Sequence, residues 1–168
     1  MTLSLENINK KAPYPLTQLT DMTFSFVTEQ GVHYDVGFFP DEFFMRGHGF
    51  HFFIENTLGE HGSYDPKVME VVVAVIEEFF MQDSNVMLYI YDPYDKRQAS
   101  RNRLYRMWFL GYAFNHEMTL YSDSVTFEGE TYYSGVLMRH DHPLHDEIII
   151  RYQQFLKIAP QVVQFTNK

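Results

Sequence analysis

Cysteine is absent from the 168 residues, which excludes disulfides, a thiolate nucleophile and thiolate ligation of zinc, and fits a reducing cytoplasm. Positive charge is scarce as well. Thirteen Lys and Arg stand against 22 Asp and Glu, for a formal net charge of −9 and a pI near 5.2. A surface of that sign does not serve general nucleic-acid binding or attachment to an anionic membrane. No stretch approaches the roughly 18 uncharged apolar residues of a membrane span, and the opening MTLSLENINKKAPYPL has no apolar core of signal-peptide length. The phosphate-binding P-loop, the dinucleotide glycine fingerprint and the G-x-S-x-G nucleophile elbow are all missing. Their nearest approach is Gly59-x-x-Gly62 ahead of Asp65. The expectation is a soluble cytoplasmic protein without membrane attachment.

Aromatic residues, by contrast, are plentiful: 17% of the chain, with 16 Phe and 12 Tyr, a composition that favours sheets and thick aromatic layers. The length suits one domain over 1–168, of which residues 1–20 read as an extended lead-in packing by Tyr14 and Leu16. Met22–Thr28 and Val32–Phe39 flank Glu29-Gln30-Gly31 as a hairpin, with Phe24 and Phe26 on one face. Asp41–Gly49 reads as a connection and Phe50–Leu58 as a third strand. Asp65-Pro66 opens a helix to about Gln82, with Asp as N-cap and Pro at the first position. Its Val68, Val71, Val72, Val75, Ile76 and Phe79 form a wide apolar surface, and Lys67, Glu70, Ala74, Glu77 and Glu78 a polar stripe.

Val86–Tyr91 is nearly all apolar, as befits a strand covered on both faces. A helix follows from about Arg97 to near Phe114. Met118–Phe127 and Thr131–Arg139 then flank Glu128-Gly129-Glu130 as a second hairpin. Asp141-His142-Pro143 starts a last helix with Leu144, Ile148, Phe155 and Leu156 on its apolar side, stopped by Pro160. The fold class is thus α+β: a mixed, mainly antiparallel sheet with helices packed on it, in the order β-β-β-α-β-α-β-β-α.

The helix after Val86–Tyr91 carries the candidate site. Five of the 13 basic residues, Lys96, Arg97, Arg101, Arg103 and Arg106, fall within eleven positions. At 100° per residue Arg103 and Arg106 face away from Leu104, Trp108, Gly111 and Tyr112, whereas Arg97 and Arg101 share their side. An inward arginine needs an anion, because an uncompensated buried charge costs several kcal/mol. A helix N-terminus, itself positive, sharpens the need. Two readings stand. Asp92 and Asp95 in the preceding turn staple turn to helix, or Arg97 and Arg101, supported by Asp92, Asp95 and Tyr105, hold the phosphate or carboxylate of a small ligand or a protein partner.

His140, Asp141, His142, His145 and Asp146 are the densest set of metal-ligand types. Pro143 puts His142 at a helix cap, with His145 and Asp146 three and four residues on. A metal site built from His140, His142, His145 and Asp146 would serve a hydrolase. The plain alternative is a helix start that acids and histidines favour through capping and the dipole.

Three pieces, F-x-F-x-T-x-x-G-V-x-Y-x-V at Phe24–Val36, the strand ending in Asp92, and R-N-R-L-Y-x-x-W-F at Arg101–Phe109, together resemble an uncharacterised family of small proteins from Bacteroidetes. That resemblance covers Met22–Tyr112 and implies no activity. The element order is also similar to the core of the GCN5-related N-acyltransferases, and Leu104-Tyr105-x-x-Trp108-Phe109 resembles the end of their fourth helix. This second resemblance implies an N-acyltransferase-like architecture with acyl-CoA as cofactor, its pyrophosphate held by Gly59–Asp65. Glu60 and Asp65 oppose a pyrophosphate there. Three functions are therefore carried forward: a non-catalytic binding or regulatory protein for an anionic group, an acyl-CoA-dependent N-acyltransferase with a divergent pyrophosphate loop, and a metal-dependent hydrolase.

Overall fold

The computed structural model describes residues 1–42, 48–60, 62–91 and 98–166; the side chains of 91, 98–102, 114 and 159–166 are outside the description. The described elements are α1 (Leu5–Lys11), β1 (Thr17–Thr20), β2 (Thr23–Val27), β3 (His33–Pro40), β4 (Gly49–Asn56), α2 (Pro66–Phe79), β5 (Val86–Tyr91), α3 (Gln98–Asn115), β6 (Met118–Phe127), β7 (Glu130–Arg139) and α4 (His145–Thr166). Seven strands form one mixed sheet in the order β1-β2-β3-β4-β5-β7-β6, so the class is α+β. The chain divides into two compact units, Met1–Phe39 with Phe52–Asp83, and Pro40–His51 with Ser84–Lys168.

In the first unit β2 and β3 pair antiparallel from Thr23↔Gly37 to Val27↔His33. Their turn closes through Thr28 N–H to Val32 O at 2.9 Å, with Gly31 at φ 77°, a left-handed conformation that glycine adopts without a Cβ penalty. Alternation along β2 sends Phe24 and Phe26 inward. The Phe38 ring of β3 stacks on Phe79 of α2, with centroids 4.0 Å apart, and tilts against Phe52 at 5.6 Å. The expected apolar surface of α2 is buried in full, and Ala74, assigned to the polar stripe, is buried with it. Asp65 caps the helix as expected, its Oδ1 accepting from Lys67 N–H at 2.9 Å.

The lead-in is not simply extended. Ser4 caps α1 by accepting from Asn7 N–H at 3.2 Å, Glu6 pairs with Lys10, and Ile8 is fully buried. A seven-residue helix shows too little periodicity to be recognised and is too short to be stable alone. Contacts with α2 hold it: Ser4 N–H donates to Glu78 Oε1 at 3.1 Å and Lys11 Nζ to Glu77 Oε2 at 2.7 Å. Tyr14 and Leu16 are buried as expected, and β1 follows them, exposed along its whole length.

In the second unit β5 is flanked on both sides. Its first three residues pair in parallel with those of β4, Gly49↔Val86 to His51↔Leu88, and β5 pairs antiparallel with β7 from Met87↔Leu137 to Tyr91↔Tyr133. Val86 and Leu88 pack with Val136 and Met138 against Ile148, Tyr152, Phe155 and Leu156 of α4. The opposite face carries Tyr89, whose ring lies 5.1 Å from that of Phe109 on α3. Covering on both faces is why the strand reads as an unbroken apolar run. The β6–β7 hairpin turns on Glu128 and Gly129 alone, at φ 51° and 80°, because Phe127 already pairs with Glu130; this is the two-residue turn whose twist matches the strands.

Two expectations about α4 need correction. Pro160 does not stop it, since the helix runs to Thr166. Proline's fixed φ is itself helical, so a helix passes through it at the loss of one backbone bond when other contacts hold both sides. Leu144 precedes the helix and is exposed, while Tyr152, absent from the expected stripe, is fully buried. Its hydroxyl is satisfied by Ser134 Oγ at 2.6 Å, which is how a tyrosine fits an apolar layer. Burial pushes its pKa above the ordinary tyrosine value, and the Ser134 bond opposes that shift.

Candidate functional site

The buried face of α3 consists of Tyr105, Trp108, Phe109, Tyr112 and Ala113, spaced i, i+3, i+4, i+7 and i+8 as one helical stripe. Arg103 and Arg106 are exposed, as their phase requires, and so is Gly111, which the phase had put inside. Tyr105 lies 5.2 Å from Trp108 and 6.2 Å from Phe109 between ring centroids. Position 101 stands four residues before Tyr105 and seven before Trp108, on the same row. The Arg101 side chain lies outside the described residues, as do Arg97, Asp92 and Asp95 altogether. Trp108 itself carries a notable feature: it is 5% exposed, and its Nε1–H is buried with no acceptor among the described residues. An unmet donor of that kind costs about 1–3 kcal/mol and calls for a reason. Tyr89, on the strand beneath, has its pKa pushed up to about 12 by burial, against the pull of Arg106.

The N-terminus of α2, where the acyltransferase resemblance puts a pyrophosphate, is taken up by the chain's own carboxylates. Asp65 Oδ1 caps the helix while its Oδ2 accepts from Tyr14 Oη at 2.5 Å. That bond is the main cause raising the Tyr14 pKa. Glu60 accepts from His33 twice, from the backbone N–H at 2.7 Å and from Nδ1 at 3.0 Å. The imidazole bond leads the causes holding Glu60 below the usual carboxylate range. Gln30 Oε1 accepts from Ser63 N–H at 2.8 Å, so the segment before α2 is tied to the β2–β3 turn at several points.

The four histidine-cluster residues do not gather round one point. His142 is buried with both ring nitrogens engaged: Nε2–H donates to Ser84 O at 3.0 Å, and Nδ1 accepts from Leu144 N–H at 3.1 Å. It is a neutral structural residue that closes the turn before α4. His140 and His145 do converge, on a residue the sequence did not single out. Thr119 Oγ1 of β6 lies 2.6 Å from His140 Nδ1 and 3.3 Å from His145 Nε2, and His145 Nδ1 donates to Asp146 Oδ1 at 3.1 Å. Among the described residues no group of three or more His, Asp and Glu is placed to hold a metal.

A further pair escaped the sequence. Asp41, its side chain 1% exposed, bonds His51 Nε2 at 2.8 Å. Ten residues separate them, and only the return of the chain from β3 to β4 brings them together.

Fold and side chains together define a small α+β protein with a mixed seven-stranded sheet and an aromatic helix face whose Trp108 N–H has no acceptor among the described residues. A family model described as a family of unknown function, DUF6169, matches residues 64–154, and the chain belongs to that family. No curated protein and no solved structure matches it. The matched stretch runs from the start of α2 into α4, so α3, Thr119, His140, His142 and His145 lie inside it and β1–β4 outside. None of the described helices is long and apolar enough to cross a membrane.

Proposed function

We propose that this protein is a binding or regulatory protein that recognises an anionic group at the N-terminal end of α3, through Arg97 and Arg101. The row 101, 105, 108, 112 carries the reading. Its last three positions are buried aromatics, one holds an indole N–H without an acceptor among the described residues, and its first is arginine. A cation on such a row needs an anionic partner. The first turn of α3 contains no acid, whereas α1 has Glu6 and α4 has Asp146 and Glu147, so its positive end favours a ligand's charge.

Arg101→Met separates this proposal from an internal staple by Asp92 or Asp95. With a ligand site, the variant is expected to be neutral or slightly more stable in denaturant melts without added anion, since neighbouring cations no longer repel. Sulfate then stabilises wild type but not the variant, and less so in high chloride. Trp108 is the sole tryptophan, so its emission reports the same titration. A loss of about 3 kcal/mol with no sulfate response would mean that Arg101 serves the fold, as a carboxylate left without its cation, and would end the proposal.

Strand order favours a second reading, an acyl-CoA-dependent N-acyltransferase. The parallel β4–β5 pair followed on one side by β7 and then β6 supports it, while Asp65 and Glu60 at the start of α2 make the pyrophosphate loop divergent. Millimolar CoA or acetyl-CoA is expected to raise the melting temperature on this reading; a ligand at 100 times its Kd contributes about 2.7 kcal/mol. Unchanged melts with both compounds would leave only topology, which does not fix activity.

A further inference from the structure

We propose that Thr119 is a nucleophile, activated by His145 and Asp146 and assisted by His140, that accepts acyl groups from activated esters. The assignment follows from counting protons. A carboxylate only accepts, so His145 Nδ1, at 3.1 Å from Asp146 Oδ1, carries a hydrogen. In the neutral ring the lone pair then sits on Nε2, which faces Thr119 Oγ1 at 3.3 Å. Thr119 has one hydrogen to give and gives it to that lone pair, so His140 Nδ1, 2.6 Å away on the other side, bears the hydrogen of its own bond. One hydroxyl thus stands between a base that takes its proton and a donor that meets the charge left on its oxygen. Base, orienting carboxylate and nucleophile occupy the relation that activates a hydroxyl in acyl transfer, in a chain order of their own.

The backbone holds these groups in place. Glu117 adopts φ 55° between α3 and β6, a left-handed conformation costing a non-glycine residue about 1–2 kcal/mol, and its carbonyl accepts from His140 N–H at 3.1 Å. Met118↔Arg139 and Thr119↔Met138 pairing then sets Thr119 beside the end of β7. His140 and Asp146 are exposed and Thr119 is half-buried, so an acyl donor reaches the oxygen from solvent.

In the reaction Thr119 Oγ1 attacks the acyl carbonyl carbon while its proton passes to His145 Nε2. The carbonyl–oxygen bond to the leaving group breaks, and that oxygen takes the proton from His145. An ester on Thr119 remains. Water attacks it with its proton moving to His145, which returns the hydroxyl and releases the carboxylic acid.

The test uses the full chain with p-nitrophenyl acetate, following nitrophenolate release and mapping the acetyl group by peptide mass spectrometry. The expected result is acetyl on Thr119, release reduced about 100-fold or more by Thr119→Val and by His145→Gln, and release largely kept by Thr119→Ser. Asp146→Asn lowers the rate and shifts its pH profile. Acetyl found only on lysine or histidine, or release unchanged in Thr119→Val, overturns the proposal. If Thr119→Val fails to fold, the site of acetylation in wild type and the rate of His145→Gln decide in its place.

Discussion

Alanine at Gly37 is expected to destabilise the protein by about 3 kcal/mol or more, at the upper end of the cost of overpacking. Gly37 is the Cα partner of Thr23, and the two strands approach so closely there that a Cβ would lie 2.8 Å from Thr23 Cα and nearer still to Met22 O. Both are backbone atoms, and neither has a rotamer to move to. The same carbonyl accepts Phe38 N–H at 3.0 Å, so any retreat of Met22 lengthens the bond that seats Phe38 against Phe79. Gly31, in the turn of the same hairpin, is the control. Nothing lies within 4 Å of its Cβ position, and only its φ of 77° resists substitution, a cost of about 1 kcal/mol. Gly37 also has a positive φ, 157°, so urea melts of wild type, Gly31→Ala and Gly37→Ala compare φ alone with φ plus close approach. Equal losses for the two variants would show that the strands separate readily at Gly37.

Gly135→Ala is expected to cost about 2–4 kcal/mol, by a different route. Gly135 on β7 faces Tyr89 on β5, and the Tyr89 ring lies across the bare glycine. An added Cβ would come 2.5 Å from Tyr89 Cε1 and closer to Cζ and Oη. The obstacle here is a side chain, yet one with little freedom: Tyr89 is 1% exposed and packed on Phe109, and interiors at crystal-like density leave no second position for a ring. A ring covering a cross-strand glycine is also a known way to pin register. Coupling is the specific expectation. Tyr89→Leu alone loses packing, but it removes the obstacle, so Tyr89→Leu with Gly135→Ala should lose less than the two single changes together by about 1 kcal/mol or more. A double-mutant cycle in denaturant measures this, and strict additivity would mean that the ring does not meet the new methyl group.

Much of the architecture was legible in local chemistry. Asp65-Pro66 announced α2, the valine and isoleucine spacing announced its buried face, the apolar run at Val86–Tyr91 announced a strand covered twice, and Gly31 and Gly129 marked both hairpins. These signals lie within a few residues of the structure they specify, because caps, turns and periodicity act at that range. Where elements depend on contacts from far along the chain, local reading failed. α1 is held by Glu77 and Glu78, seventy residues away in round terms, α4 continues through Pro160, and Gly37 and Gly135 gave no sign that a strand and a ring lie where their side chains would be.

The chemistry divides the same way. Periodicity alone put Arg101 on the side of Leu104, Trp108, Gly111 and Tyr112, and composition alone ruled out thiol chemistry and a generally basic surface; that Tyr105 is buried on that helix and Gly111 is exposed came from the structure. Only the tertiary structure decided that His142 is spent on Ser84 O and Leu144 N–H, that Asp41 reaches His51, that Trp108 keeps a buried donor without an acceptor among the described residues, and that Thr119 stands between His140 and His145. The physical reason is the range of the interactions. A helical row is set by the 100° turn between neighbours, whereas a hydrogen bond between β6 and the start of α4 exists only once β6–β7 pairing and the packing of α4 have brought together residues more than twenty positions apart.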